Sequence, residues 1–260
     1  MLGFLTVLPL YIWIYCLQAK DMSPAAIGMS SMHMNRMGIF WSFPILQAAG
    51  LAALMWAYIG VFLGLMESSK RAPWFPLTKF QTDRLHRHIS LLVIGLILVH
   101  AVATAFDAMG DNFITVFIPW QESWKAATLG YNLGIFAFYL ALLLGPTYYL
   151  RKKIGVRTWR IAHRFTLVVY ILSVWHTLIL GLDISYYGWI RPFMWLMQIP
   201  LLVLFIRRLL QPAQSTKKSS SAKTSWVRAI SYCFASMSGA AIVVILVIVI
   251  SGHSGFIQNI

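Results

Sequence analysis

The amino-acid sequence predicts an all-α integral membrane protein. Apolar residue types make up 59% of the 260 residues and charged types only 11%, and the mean hydropathy is +0.72. A soluble domain of this length needs a far more polar surface. The apolar residues also form runs of about 20 residues, which is the length that a helix needs to cross the hydrocarbon core of a bilayer. We therefore predict a six-helix transmembrane bundle with one additional C-terminal transmembrane helix.

Seven apolar segments are candidate spans. They cover residues 2–17, 39–66, 84–106, 131–150, 158–181, 189–209 and 227–251. The first segment is short, but it lacks the basic N-terminus of a secretory signal and no small-residue cleavage site follows it, so we interpret it as a retained helix. The last segment contains "AIVVILVIVI", which has no polar residue and is expected to face lipid or a partner subunit.

These spans divide the chain into four parts. Residues 1–38 are expected to form an N-terminal transmembrane helix and an outer loop, and residues 39–210 form the helical core. Residues 211–226 are a basic, Ser/Lys-rich cytoplasmic linker of the flexible, soluble kind. Residues 227–260 are expected to form a C-terminal transmembrane helix and a short outer tail.

Basic residues cluster in three of the predicted loops. Segments 67–87, 151–164 and 207–228 hold 17 of the 21 Lys and Arg residues, whereas segment 107–125 is acidic. The positive-inside rule places the three basic loops and the N-terminus in the cytoplasm and the C-terminus outside. Basic loops that face anionic lipid explain the net charge of +14, so we expect no nucleic-acid partner.

Four of the seven histidines lie as pairs within two predicted spans. The segment "LHRHISLLVIGLILVH" contains His86 and His100, and "WRIAHRFTLVVYILSVWH" contains His163 and His176. An ionisable side chain within the bilayer is costly and marks a candidate functional site. The other three are interpreted as solvated or facing lipid headgroups: His33, His88 and His253.

The spacing of these histidines points to two metal centres. On an ideal helix His86 and His100 lie about 21 Å apart and differ by about 40° in azimuth. Two ligands so far apart cannot share one metal ion, but they suit two heme irons that each take a second imidazole from a facing helix. Because the third and fifth spans run in the same direction, depth pairs His86 with His163 and His100 with His176.

The fifth span fits this arrangement less simply. Its spacing of 13 residues leaves His163 and His176 about 220° apart on an ideal helix. Local overwinding, a bend, or hemes at different azimuths are the alternatives that reconcile it. A further alternative is that each histidine only bonds to a neighbouring helix.

The H-x13-H and H-x12-H pairs on these two helices resemble the ferric reductase-like transmembrane domain, the heme-bearing module shared by ferric-chelate reductases and NADPH oxidases. The resemblance covers about residues 40–210 and includes the unequal spacing. It implies two heme b groups, the inner one ligated by His86 and His163 and the outer one by His100 and His176. It also places four arginines to pair with heme propionates or to steer an acidic donor, although loop electrostatics explains them equally well: Arg84, Arg87, Arg160 and Arg164.

The sequence departs from the larger members of that family after the sixth helix. Those members continue into a cytoplasmic flavin- and nicotinamide-binding domain. Here a basic linker and one more span follow, and there is no Gly-rich dinucleotide fingerprint. We therefore expect a separate electron donor, which is a flavoprotein, a quinol or another subunit.

The predicted function is that of a di-heme b cytochrome in a bacterial plasma membrane. It is expected to pass single electrons from that donor to an acceptor or redox subunit on the outer side, which makes it oxidoreductase-like. One alternative is a quinol-linked cytochrome b subunit of a larger redox complex. An alternative from a different class is a heme-free transporter or assembly protein whose histidines conduct protons or pair helices.

Overall fold

The computed structural model describes residues 1–21, 42–68, 75–106, 113–121, 128–181 and 188–210. Residues Met1–Leu202 form one compact unit. The predicted span at residues 227–251 lies outside the described residues, as do His33 and His253.

The regular structure of the described residues is entirely helical. In chain order the helices are α1 Leu2–Asp21, α2 Ser42–Ser68, α3 Lys79–Ala105, α4 Phe113–Phe117, α5 Thr128–Leu144, α6 Thr147–Ile154, α7 Val156–Arg164, α8 Thr166–Leu180 and α9 Ile190–Leu210. Helices occupy the positions of the first six predicted spans. The all-α prediction is therefore confirmed for this part of the chain.

The structure supports a multi-pass membrane protein. Among the described residues, four helical segments are long and apolar enough to cross a bilayer: Phe43–Glu67, Lys79–Ala105, Val156–Leu180 and Ile190–Leu210. Helices α5 and α6 make a fifth span if the bent pair is counted as one, and Leu2–Leu17 is a shorter apolar helix. The full arrangement of six core spans plus one stays a prediction.

Helix α3 begins five residues before the predicted start at residue 84, because a polar cap precedes the apolar run. The Thr78 side chain accepts a hydrogen bond from the Gln81 backbone N–H at 3.2 Å, and the Gln81 side chain accepts one from the Thr78 N–H at 2.8 Å. This reciprocal capping box satisfies two N–H groups that have no partner within the helix. Its signature, "TKFQ", lies outside any hydropathy pattern.

The fourth predicted span bends by 50° between α5 and α6. Gly145 and Pro146 lie at the bend, and Pro146 has no N–H to continue the hydrogen bonds of α5. The Thr147 hydroxyl donates to the Leu144 carbonyl at 2.5 Å and so satisfies one group that the bend releases. Gly155, whose φ is 87°, then separates α6 from α7 in a conformation that favours glycine.

Helix α2 packs against both α1 and α3. Its alanines at positions 48, 49, 52 and 53 are buried, and such small side chains allow close approach and van der Waals contact between helices in lipid. The Trp56 indole N–H donates to the Thr6 hydroxyl of α1 at 3.2 Å. Helix α2 therefore lies between contacts to α1 and close contacts to the histidine-bearing helix α3.

Candidate functional site

The structure brings the four histidines of the spans together as two pairs. The ring centroids of His86 and His163 lie 5.9 Å apart with an interplanar angle of 85°. His100 and His176 show the same distance and the same angle. These are the partners that depth in the bilayer predicts. The equal geometry at two levels, about 21 Å apart along α3, indicates one arrangement used twice.

The rings of His86, His100 and His176 are each fixed by a backbone carbonyl of the neighbouring helix. These bonds join His86 Nδ1 to Gly60 O at 2.9 Å, His100 Nδ1 to Leu46 O at 2.7 Å, and His176 Nδ1 to Gly130 O at 2.9 Å. A carbonyl only accepts, so Nδ1 carries the proton and Nε2 keeps its lone pair. Metal-binding histidines are commonly oriented in this way.

Each of these carbonyls is followed four residues later by a glycine that lies against the same ring. A Cβ atom would approach the ring of His86 to 3.3 Å from Gly64, that of His100 to 2.9 Å from Gly50, and that of His176 to 2.5 Å from Gly134. The rings therefore occupy space that any other residue type would fill with its side chain. The repeated unit is a carbonyl that orients the ring and a glycine that makes room for it.

Sequence reasoning missed these glycines, although a signal for them exists. Gly50 and Gly64 are separated by the same number of residues as His86 and His100. Because α2 and α3 are antiparallel, Gly50 meets His100 and Gly64 meets His86. A G-x13-G pattern in the span before H-x13-H predicts this contact, but hydropathy does not distinguish glycine from other small residues.

His163 lies beside an aromatic side chain of its own helix. The position fourteen residues after the glycine beside His176 is occupied by Tyr148, beyond the bend of the fourth span. The His163 ring stacks on the Trp159 indole, with centroids 5.2 Å apart and planes 22° from parallel. One ring of the inner pair therefore has an aromatic neighbour within the described part of the chain.

A break in the helix accounts for part of the unequal histidine spacing. Phe165 separates α7 from α8, and its N–H donates to Ala162 O at 3.0 Å, which is an i→i−3 bond. The Thr166 hydroxyl donates to the His163 carbonyl at 2.7 Å. A 3₁₀ turn rotates each residue by about 120° instead of about 100°. Overwinding, one of the three alternatives, therefore supplies some of the rotation that an ideal helix lacks.

The two histidine pairs fit a porphyrin better than a bare metal ion. The described residues contain no group of three or more His, Cys, Asp or Glu side chains that could hold a metal ion. A porphyrin needs only two axial ligands, because its own nitrogens fill the other iron positions. An imidazole nitrogen lies about 2.0 Å from a bound metal, so two rings on opposite sides of one metal have centres about 6 Å apart. The observed 5.9 Å agrees with this distance.

The arginines predicted to approach heme propionates lie around the predicted cytoplasmic end of the bundle. A cavity of about 290 Å³ is lined by Phe80, Arg84, Arg87, His88, Leu91 and Tyr149. His88 Nδ1 bonds to the Arg84 carbonyl of its own helix at 2.7 Å, so His88 does not join either histidine pair. Arg160 is exposed and Arg164 is half-buried on α7. The propionate role of the four arginines stays a prediction.

Apolar helices that carry facing histidine pairs define a multi-pass helical membrane protein with a histidine-lined core. Within this class, residues 49–174 match the family model of the ferric reductase like transmembrane component, so this segment is similar to that transmembrane domain. The predicted resemblance is confirmed, and the match ends two residues before His176. Searches of curated proteins and of solved structures found no match. The family supports a membrane electron-transfer role, and its transmembrane domains typically bind heme.

Proposed function

We propose that the protein is a transmembrane di-heme b cytochrome that passes single electrons across a bacterial plasma membrane. The observation that carries this proposal is the pair of equal imidazole couples at two levels of the bundle. Heme b, when bound, supplies an iron that accepts and releases one electron at a time. The electrons come from a separate donor on the cytoplasmic side and leave to an acceptor on the outer side.

The histidines supply the axial ligands in this proposal. His86 and His163 would hold the inner heme, and His100 and His176 would hold the outer one. The carbonyl bonds to Nδ1 keep three of the rings in the tautomer that presents Nε2, and they also raise the basicity of that nitrogen. Because the rings are already oriented, little conformational entropy is lost when a ligand bond forms.

Apolar side chains lie between the two levels and would exclude water there in the proposed function. On α3, Ile89 and Leu96 lie between His86 and His100, and both are buried. On α8, Val174 is buried close to His176. A dry, rigid surrounding favours one-electron transfer over side reactions with water, and it sets the local dielectric that tunes the potential.

The basic end of the bundle supports a donor that docks on the cytoplasmic side. Helix α6 ends in Arg151, Lys152 and Lys153, and Arg157 and Arg160 of α7 are exposed. The inner histidine pair lies toward this end. A concentration of positive charge attracts a partner with an acidic surface and raises its association rate at low ionic strength. The donor, a flavoprotein, a quinol or a partner subunit, is proposed to approach here.

An optical spectrum with heme quantification tests this proposal. The purified protein is expected to show a reducible b-type absorption and two heme b per chain. His100→Ala and His176→Ala should each remove about half of the heme, because each change deletes one ligand of the outer pair.

His88→Ala is the matched control, since His88 lies on the same helix as His86 and bonds only within it. This variant should keep both hemes. A wild-type protein with no b-type absorption would contradict the proposal and leave the histidines as helix-pairing or proton-conducting groups.

A further inference from the structure

Trp159 is fixed beside the inner histidine pair. It precedes His163 by four residues on α7, so the two side chains share one face of the helix. Their rings stack at 5.2 Å, and the Trp159 indole also meets the Tyr148 ring edge to face at 6.0 Å and 74°. The other ring that faces His163 is His86. The indole therefore has little freedom to turn away.

The indole N–H of Trp159 has no acceptor within the described part of the chain. Its Nε1 is the single buried side-chain nitrogen or oxygen there that lacks a hydrogen-bond partner. Trp56 offers a comparison in the same bundle, since its N–H donates to the Thr6 hydroxyl at 3.2 Å. An unpaired buried N–H is costly, and most costly in a membrane, where water does not replace the missing acceptor.

The surroundings of Trp159 favour an anionic acceptor. The guanidinium of Arg151 lies over the Tyr148 ring at 4.2 Å from its centroid, and that of Arg87 lies over the same ring at 5.4 Å. Arg87 is paired with Asp83 at 3.3 Å, so the carboxylate of Asp83 is already engaged. Asp83 offsets the charge of Arg87, so the Arg151 guanidinium over the ring that contacts Trp159 is the positive group that stabilises a nearby negative charge.

We propose that Trp159 Nε1–H donates a hydrogen bond to a carboxylate of the inner heme. This inference rests on the proposed function, which puts a porphyrin beside His163. Heme b carries two carboxylates on one edge of its ring, and these are anionic acceptors of the kind that the Trp159 surroundings favour. Trp159 is then a cofactor-binding residue of the inner site.

The test removes the donor while keeping an aromatic ring for stacking. Trp159→Phe is made in a His176→Ala background, which retains only the inner site. Its affinity for heme b should fall by about tenfold, the size expected for one charge-assisted hydrogen bond. The midpoint potential of the inner heme should also fall, because an unpaired carboxylate charge stabilises ferric iron.

Heme dimethyl ester isolates the carboxylate, since its two acids are blocked. With this ligand the difference in affinity between the tryptophan and phenylalanine proteins should become smaller, because an ester carbonyl is an uncharged and weaker acceptor than a carboxylate. Trp175→Phe is the matched control beside the outer site, where the Trp175 ring contacts Trp195 at 6.4 Å. This control should leave the affinity and potential of the inner heme unchanged.

The possible outcomes separate this inference from the proposed function. An equal loss of affinity with heme and with its dimethyl ester would show that Trp159 acts only by packing and would overturn the inference. Raman difference spectra of the protein in anionic-lipid vesicles report whether the Trp159 N–H is hydrogen-bonded. If this N–H is already bonded without heme and does not change when heme binds, its acceptor is a lipid phosphate. That result would also overturn the inference. If the wild type binds no heme, the proposed function itself fails. If the wild type binds two hemes and Trp159→Phe has no effect, this inference alone fails.

Discussion

Gly134→Ala is the sharpest perturbation of the outer site. A methyl group at position 134 would lie 2.5 Å from His176 Nδ1 and 2.7 Å from its Cε1. Ordinary contact between such atoms begins near 3.5 Å, so the ring must move by about 1 Å. The ring is held by the Gly130 carbonyl at 2.9 Å, and a displacement of that size breaks this bond and shifts Nε2 from its position opposite His100.

The expected cost combines two effects. Overpacking costs about 1–3 kcal/mol, and loss of one hydrogen bond adds about 1 kcal/mol. The affinity of the outer pair for heme should therefore fall by about 2–4 kcal/mol, or roughly 30-fold to 1,000-fold. The inner pair should be unaffected, because Gly134 does not contact it.

The other glycines form a graded series with an internal control. The nearest ring atom would lie 2.9 Å from a Cβ at Gly50 and 3.3 Å from one at Gly64, whereas nothing lies within 4 Å at Gly95. Heme loss should decrease in the order Gly134→Ala, Gly50→Ala, Gly64→Ala, with no loss for Gly95→Ala. The last variant also controls for the higher helix propensity of alanine.

Heme titration of the apo-protein, followed by heme quantification, measures this series. Gly134→Ala should retain about one heme per chain at concentrations that saturate the wild type. Full retention of two hemes with unchanged affinity in Gly134→Ala would refute the argument that the glycine makes room for a ligand ring. An equal loss in Gly95→Ala would refute it as well.

Two further predictions concern stability. Thr78→Ala removes the capping hydroxyl of α3 and should lower the free energy of unfolding by about 1 kcal/mol, seen as faster hydrogen exchange in the first turn of α3; unchanged exchange there would contradict the capping role. Tyr170→Phe removes the bond from the Tyr170 hydroxyl to Gln198 Oε1, which is 2.9 Å long, and should cost about 0.6 kcal/mol, the average for such bonds in membranes. Thermal unfolding measures this loss, and a change in heme content would show that Tyr170 does more than join two helices.

The sequence predicted the histidine pairs well, because two physical constraints act together. An ionisable ring within the bilayer is energetically costly and therefore marks a functional site. This constraint singled out the four intramembrane histidines. Helix rise and span direction then left one way to combine them by depth, and the structure contains those combinations. By contrast, the start of α3 was misplaced, since a capping box is a polar signal that precedes the apolar run.

The carbonyls and glycines that position the histidine rings were not predicted from the sequence. The carbonyls that orient His86, His100 and His176 belong to other helices and lie 26, 54 and 46 residues, respectively, from these histidines in the chain. Every residue has a backbone carbonyl, so residue types do not indicate which carbonyl contacts each ring. Only the packed arrangement of the helices shows this. The spacing of the glycines is visible in the sequence, but it can be interpreted only when the helices that face each other are known.

By itself, then, the sequence determined that the chain enters a membrane as helices and that two levels of it carry imidazoles, because hydropathy and helical rise are local properties. Tertiary structure decided which helices supply the carbonyls and the space for each ring, and where the fifth span overwinds at Phe165. It also left the Trp159 N–H, beside the inner pair, without an acceptor among the residues that the structure describes. These features arise from contacts between distant segments, and such contacts exist only after the helices have packed.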